Sequence, residues 1–213
     1  MLTKLILVRH GESTWNQTGR YQGRIDTELS EQGQKQASLL AERLSSIPLA
    51  AIYASPLRRA LHTAITIGVA QNMDILVEPD LTEIDHGAWS GLLKDEVEKR
   101  FGPLLQQWLV TPSKVQMPRG ESLVDVSERA KAVLSRILAE HPQATVVICS
   151  HDAVLKVIIA DLIGMHLDRF WSFGICNASI SIVECNRGFH SLLCLNDTCH
   201  LGPYRTETDE QAL

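Results

Sequence analysis

The chain lacks the features that would place it in several large functional classes. Its five cysteines, Cys149, Cys176, Cys185, Cys194 and Cys199, are odd in number and form no Cys-x-x-Cys pair, so neither a disulfide framework nor a zinc knuckle is indicated. Reduced thiols in a cytoplasmic protein are the simplest account. No stretch approaches the length of a membrane span, and the first apolar run is interrupted at Arg9, too early for the apolar region of a signal peptide. Excess positive charge is missing as well. Twenty Lys and Arg against 25 Asp and Glu give −5 at pH 7, which argues against a nucleic-acid or anionic-membrane partner. Any phosphate site must therefore be a local positive pocket. There is no internal repeat or low-complexity segment, and 213 residues at 45% hydrophobic content can bury a full core as a single domain, 1–213.

What is present begins with Leu5-Ile6-Leu7-Val8, which passes directly into Arg9-His10-Gly11-Glu12. Four branched or Leu-type residues without polar alternation predict a strand covered on both faces, the pattern of a parallel sheet. Ligands in such sheets collect at the carboxyl ends of the strands, where Arg9 and His10 fall. Gly11 is expected to let the backbone approach a ligand closely or to take a positive φ. An arginine, an imidazole and free N–H groups at one point suit an oxyanion such as phosphate.

The same arrangement recurs downstream. Ser30 is a candidate N-cap for a helix from Glu31 to Ser45, in which Ala37, Leu40, Ala41 and Leu44 repeat at helical spacing. Residues 50–54 read as a second buried strand, followed by Ser55-Pro56 as cap and first-turn proline of a helix to about Gln71, with Arg58 and Arg59 in its first turn. Asp74 to Val77 suits a short third strand. Ser122 caps a strongly amphipathic helix carrying Val126, Ala130, Val133, Leu134, Ile137 and Leu138. Residues 145–149 form the clearest strand and end in Ser150-His151-Asp152, before a helix from about 153 that stops at Gly164. Two final strands around Asn186-Arg187-Gly188 predict a hairpin, whose exposed edge could pair with a second subunit as a homodimer. The looser pattern of about 88–118, with prolines at 103, 112 and 118, predicts a small helical cap over a pocket, and about 205–213 reads as a weakly structured tail. The predicted fold is an α/β, three-layer α/β/α sandwich with a mostly parallel central sheet.

Three strand ends bearing cationic or imidazole groups would converge on one crevice. Two histidines, two arginines and one acid suggest phosphoryl transfer without metal or other cofactor. His10 attacks phosphorus through one ring nitrogen while the other donates to a backbone carbonyl. Arg9 and Arg59 neutralise the non-bridging oxygens and His151 adds a third donor. Glu83 protonates the leaving oxygen and then activates water, a role that requires a raised pKa. His86 is either a reader of a substrate carboxylate or a turn histidine. The backbone N–H groups of Leu201 and Gly202 are candidates to receive a carboxylate, against the alternative of a packed tail. Asp152 reads as a helix cap, Glu12 as an orienting residue and Cys149 as inert packing. A metal site built from His10, Glu12, His151 and Asp152 matches no standard zinc spacing.

Leu7-Val8-Arg9-His10-Gly11-Glu12 with Asn16, then Ser55-x-Leu57-x-Arg59-Ala60-x-x-Thr63-Ala64, Glu83, Gly120-Glu121-Ser122 and Ser150-His151 together resemble the histidine phosphatase superfamily, also called phosphoglycerate mutase-like. The resemblance covers nearly the whole chain in order. It implies that His10 is the phosphorylated nucleophile, that Arg9, Arg59 and His151 form the phosphate pocket, that Glu83 is the proton donor, and that Asn16 with Gln22 and Gly23 lines the site. Only 36 residues, 84–119, separate Glu83 from Gly120, shorter than in cofactor-dependent mutases, so a phosphatase is favoured. Segments 83–91, 170–174 with Asn177-Ala178-Ser179, and 196–202 are similar to the metal-independent phosphoserine phosphatases of this family. That similarity implies a dimer acting on L-phosphoserine, a small phosphorylated metabolite. Phosphatases of α-ribazole phosphate, sugar phosphates or broad specificity, a mutase, and a non-catalytic phospho-ligand module are the alternatives.

Overall fold

The apolar run near the N-terminus becomes the middle of a central strand, β1 (Thr3–Arg9), in a computed structural model that describes residues 2–186, 188–206 and 211. Parallel to it on one side runs β4 (Thr145–Ser150), and antiparallel on the other runs β5 (Ile180–Asn186). Beyond β4 lie β2 (Ala51–Ala54) and β3 (Leu76–Val77), both parallel, and beyond β5 lies the antiparallel β6 (Phe189–Asp197). The order across the sheet is β3-β2-β4-β1-β5-β6.

The period of two along a strand explains why β1 has no polar face. Leu5 and Leu7 point into one apolar layer, with α4 (Leu123–Glu140) and α5 (Asp152–Ile163), whereas Ile6 and Val8 point into the other, with α1 (Glu31–Leu44) and α2 (Arg58–Gln71). These four β1 side chains are at most 1% exposed, and burying each stabilises the fold by about 2 kcal/mol. Helices cover both faces, giving the expected three layers. In the segment expected to form a cap, α3 (Lys94–Val110) runs through a kink at Phe101, two residues before Pro103, whose ring removes one N–H from the helix ladder. Trp108 of α3 packs on Phe170, and its carbonyl accepts from Trp171 Nε1 at 2.8 Å.

Most helix ends follow their sequence signals. Ser30 Oγ accepts from Gly33 N, Ser122 and Asp125 cap each other reciprocally, and Gly164 ends α5 at φ 70°. α2 departs from expectation. It begins at Arg58, not at Pro56, and Ser55 does not cap it; the Arg58 N–H donates instead to Asp26 Oδ1 at 2.7 Å, a cap supplied from 32 residues away. β3 shrinks to two exposed residues. The expectation of a loose tail from 205 does not hold for Thr206 and Gln211. Thr206 bonds Glu12 and Gln36, and Gln211 is buried; residues 207–210, 212 and 213 of that expected tail, and Arg187 of the hairpin turn, lie outside the described residues.

Candidate active site

β1 and β4 are neighbours in register, Arg9 opposite Ser150, so the residues one step past their ends, His10 and His151, emerge side by side. Their rings lie 5.1 Å apart. His10 Nδ1 is 2.7 Å from the Gly11 carbonyl, which can only accept, so Nδ1 carries the proton and Nε2 keeps its lone pair. The His10 backbone is pinned by its own N–H to Ser150 O and by donors from Asn177 and Ala178 to its carbonyl. Burial, then Arg59 and Arg9, hold its pKa well below 6.5, so the imidazole is neutral at neutral pH. That is a nucleophile in its reactive form.

Both guanidiniums are gripped by their terminal nitrogens. Arg9 donates from Nη1 to Ile175 O at 2.6 Å and from Nη2 to Gln211 Oε1 at 2.5 Å, with Asp152 Oδ1 3.7 Å from Nη1. Arg59 donates to Ile25 O and Gly23 O, each at 2.8 Å; burial lowers its pKa to about 10, which leaves it charged. Ser55 Oγ accepts from Leu57 N and lies 2.8 Å from His151 Nε2; where its proton goes to that nitrogen, His151 carries its hydrogen on Nδ1. Arg9 Nε, Arg59 Nε, His151 Nδ1 and His86 Nδ1 are all buried without a hydrogen-bond partner. The two guanidinium Nε–H groups are buried donors left unpaired, which is costly, and together they suit an anion.

Glu83 is 7% exposed and accepts from Ile84 N at 2.8 Å; burial, reinforced by the negative Asp152, raises its pKa despite the arginines. A carboxyl that retains its proton can act as an acid. His86 is pushed down to about 4 by burial, stacked on Trp89 with Tyr21 edge-on at 5.2 Å, so it is a neutral imidazole and not a cation.

A small chamber of about 20 Å³ is lined by Arg9, His10, Asn16, Gln22, Gly23, Arg59, Glu83, His86, Asp152 and Ala153. The residues expected to cooperate are thus brought together, with His151 beside His10. Leu201 and Gly202 are not among them. Leu201 is fully buried in the layer under α1 and α2, its N–H already donating to Thr198 O at 2.9 Å, and Gly202 lies in the turn that follows. Gly11 also serves a different end than expected. A Cβ there would sit 2.5 Å from Gly33 O, so the close approach it permits is to α1, not to a ligand.

Asp152 does not cap its helix. It lies between Arg9 and Lys156 Nζ, 2.9 Å away. Sequence reasoning also missed the bond from Ser55 to His151, hidden behind an apparent cap, and Gln211, which no local signal marked. A larger cavity of about 790 Å³ between α2 and β3 carries none of this chemistry. Among the described residues, no three His, Cys, Asp or Glu side chains are grouped to hold a metal ion, and no helix is long and apolar enough to cross a membrane.

A neutral imidazole flanked by two arginines, a second histidine and a buried carboxyl whose pKa is raised, at the ends of parallel strands, defines a phosphoryl-transfer enzyme of the α/β class. The sequence profile of the histidine phosphatase superfamily (branch 1) matches residues 5–198. Phosphoserine phosphatase 1 of Hydrogenobacter thermophilus is 45% identical over 97% of this chain and 98% of its own. Among solved structures, Bacillus stearothermophilus YhfR superposes with a TM-score of 0.89 at 34% identity, covering 93% of this chain and 99% of its own. A mutant phosphoserine phosphatase of Entamoeba histolytica in complex with phosphoserine gives 0.85 at 30% identity, covering 93% and 99%. The chain belongs to the histidine phosphatase superfamily and is a phosphoric monoester hydrolase.

Proposed function

We propose that the chain hydrolyses L-phosphoserine to serine and phosphate through a phosphohistidine, without a metal ion. The observation that carries the mechanism is the neutral His10, its Nδ1–H fixed on Gly11 O and its Nε2 free, beside the two unpartnered guanidinium Nε–H groups of Arg9 and Arg59. His10 Nε2 attacks phosphorus in line with the ester oxygen. The P–N bond forms as the P–O bond breaks, and Glu83 gives its proton to the departing serine hydroxyl. Arg9, Arg59 and His151 stabilise the equatorial oxygens throughout. Glu83, now a carboxylate, takes a proton from a water that attacks the phosphohistidine, and the P–N bond breaks.

The named activities of similar proteins support phosphoserine as the substrate. Asn16, Gln22, Gly23 and the neutral His86 are the proposed contacts to it; His86 donates from Nδ1. The same reading places the protein in the cytoplasm, in serine synthesis. The expected partner is a second copy across the β6 edge, where Phe189 is 82% and Leu193 54% exposed. Light scattering should give twice the monomer mass, and a monomer at working concentration would refute the dimer.

The deciding experiment is phosphate release from phosphoserine, phosphothreonine, 3-phosphoglycerate, α-ribazole phosphate and sugar phosphates, in excess chelator. Preferred turnover of phosphoserine is expected. Equal, weak turnover of all would remove the substrate and keep the chemistry, and activity that requires a bisphosphorylated primer would make the protein a mutase.

A further inference from the structure

Gln211 is the least expected member of the site. It is 3% exposed, and its amide joins three residues at once: Oε1 accepts from Arg9 Nη2 at 2.5 Å and from Asn16 Nδ2 at 3.1 Å, while Nε2 donates to Asn177 Oδ1 at 2.7 Å. Two donors and one acceptor face it, and only a primary amide of this length answers all three.

Behind Gln211 lies another cavity, of about 730 Å³ and distinct from the one between α2 and β3, which the residue itself helps to line. Two further pairs stand between the chambers. His86 of the catalytic chamber packs edge-on against Tyr21 of the larger cavity, and Asp152 of the catalytic chamber is ion-paired with Lys156 of the larger one. Both pairs are held by further packing. Tyr21 is packed against Trp89, and Lys156 is held over the rings of Phe170 and Trp171 at 4.7 and 4.8 Å. Gln211, which lines the larger cavity and bonds Arg9 and Asn16 of the catalytic chamber, is a part of this wall that a shortened side chain can remove.

We propose that Gln211 is a specificity-determining residue that closes the catalytic chamber toward the larger cavity and restricts the enzyme to compact phosphomonoesters. With Gln211 shortened, an aromatic leaving group extends past Asn16 into the cavity, against the apolar surface of Leu105, Leu109, Trp171 and Phe173. This rests on the phosphomonoesterase reading but not on the choice of phosphoserine.

The test is the ratio of kcat/KM for 1-naphthyl phosphate to that for phosphoserine in the full-length enzyme, Gln211→Ala and Gln211→Glu. The ratio should rise at least tenfold in Gln211→Ala. In Gln211→Glu, which keeps the length and loses the donor to Asn177, both substrates should weaken together with the ratio unchanged. An unchanged ratio in Gln211→Ala, or an equal rise in both variants, would overturn the proposal. If the wild type takes another compact ester, such as phosphoethanolamine, better than phosphoserine, the ratio is read against that ester, so failure of the substrate assignment is separable from failure of the size gate.

Discussion

His10, Glu83 and His151 have complementary protonation needs, and the burial that sets them also sets how the rate depends on pH. His10 must be neutral and its pKa is lowered, so kcat/KM should fall only at a pH well below 6.5. Glu83 must hold a proton in the first step and its pKa is raised, so kcat/KM should also fall as pH rises through that value. Gln in place of Glu83 should cost roughly 10²- to 10⁴-fold in kcat and abolish the alkaline limb; persistence of that limb would assign it elsewhere. His10→Ala should reduce turnover by a factor on the order of 10³ or more, and a label from the substrate should no longer be trapped on the protein at alkaline pH. Ser55→Ala addresses the tautomer of His151. Without the hydroxyl proton on Nε2, the ring is free to move its hydrogen there and present a lone pair to the phosphate, and kcat/KM should drop about tenfold, the worth of one such donor. Equal activity would mean that another contact fixes the ring.

At the scale of elements, the site depends on close backbone contacts between segments distant in sequence. The turn carrying Glu83 and His86 is clamped against 117–121, with Glu121 N donating to Asp85 O at 2.9 Å and Glu121 accepting from Asp85 N. A Cβ at Gly120 would lie 2.2 Å from Asp85 O, a backbone atom that cannot step aside. Gly120→Ala should therefore destabilise the protein by about 2 kcal/mol or more and reduce activity by displacing Glu83; a melting temperature equal to the wild type would show that the clamp is soft. Asp26→Ala removes the tertiary cap of α2 and should cost about 1 kcal/mol, since the Arg58 N–H loses its acceptor. The strand positions, the caps at Ser30 and Ser122 and the stop at Gly164 were legible in the sequence, because each is set by residues within four positions of one another. The start of α2 was not, because its cap comes from another loop.

Over the whole molecule, the buried titratable groups make stability depend on acidity. Below pH 6.5 the unfolded chain protonates His10, His86 and His151, which the folded protein keeps neutral; Glu83 works the other way, holding a proton when folded that the unfolded chain releases above pH 4.5. The unfolded state thus binds more protons than the folded one in this range, and stability should fall on acidification below pH 6.5. Chemical unfolding at pH 7, 6 and 5 checks this. A flat profile would mean that the three imidazoles titrate while folded.

The sequence by itself determined the layered α/β fold and the catalytic nucleus. An apolar run that ends abruptly in Arg9-His10, and another that ends in Ser150-His151, fix both the sheet and the chemistry at its edge, because strand burial and strand-end position are local properties. Arg59 was separable from Arg58 only by its register in a family pattern. The tertiary structure alone decided the rest. It placed Asp152 between two cations and not over a helix end, gave Ser55 to His151, committed the Leu201 N–H to Thr198, and brought Gln211 from 202 residues away in the chain to the Arg9 guanidinium. The Arg9–Asp152, Ser55–His151 and Arg9–Gln211 contacts join groups whose separation along the chain carries no periodic signal, so only the packed fold selects the partner.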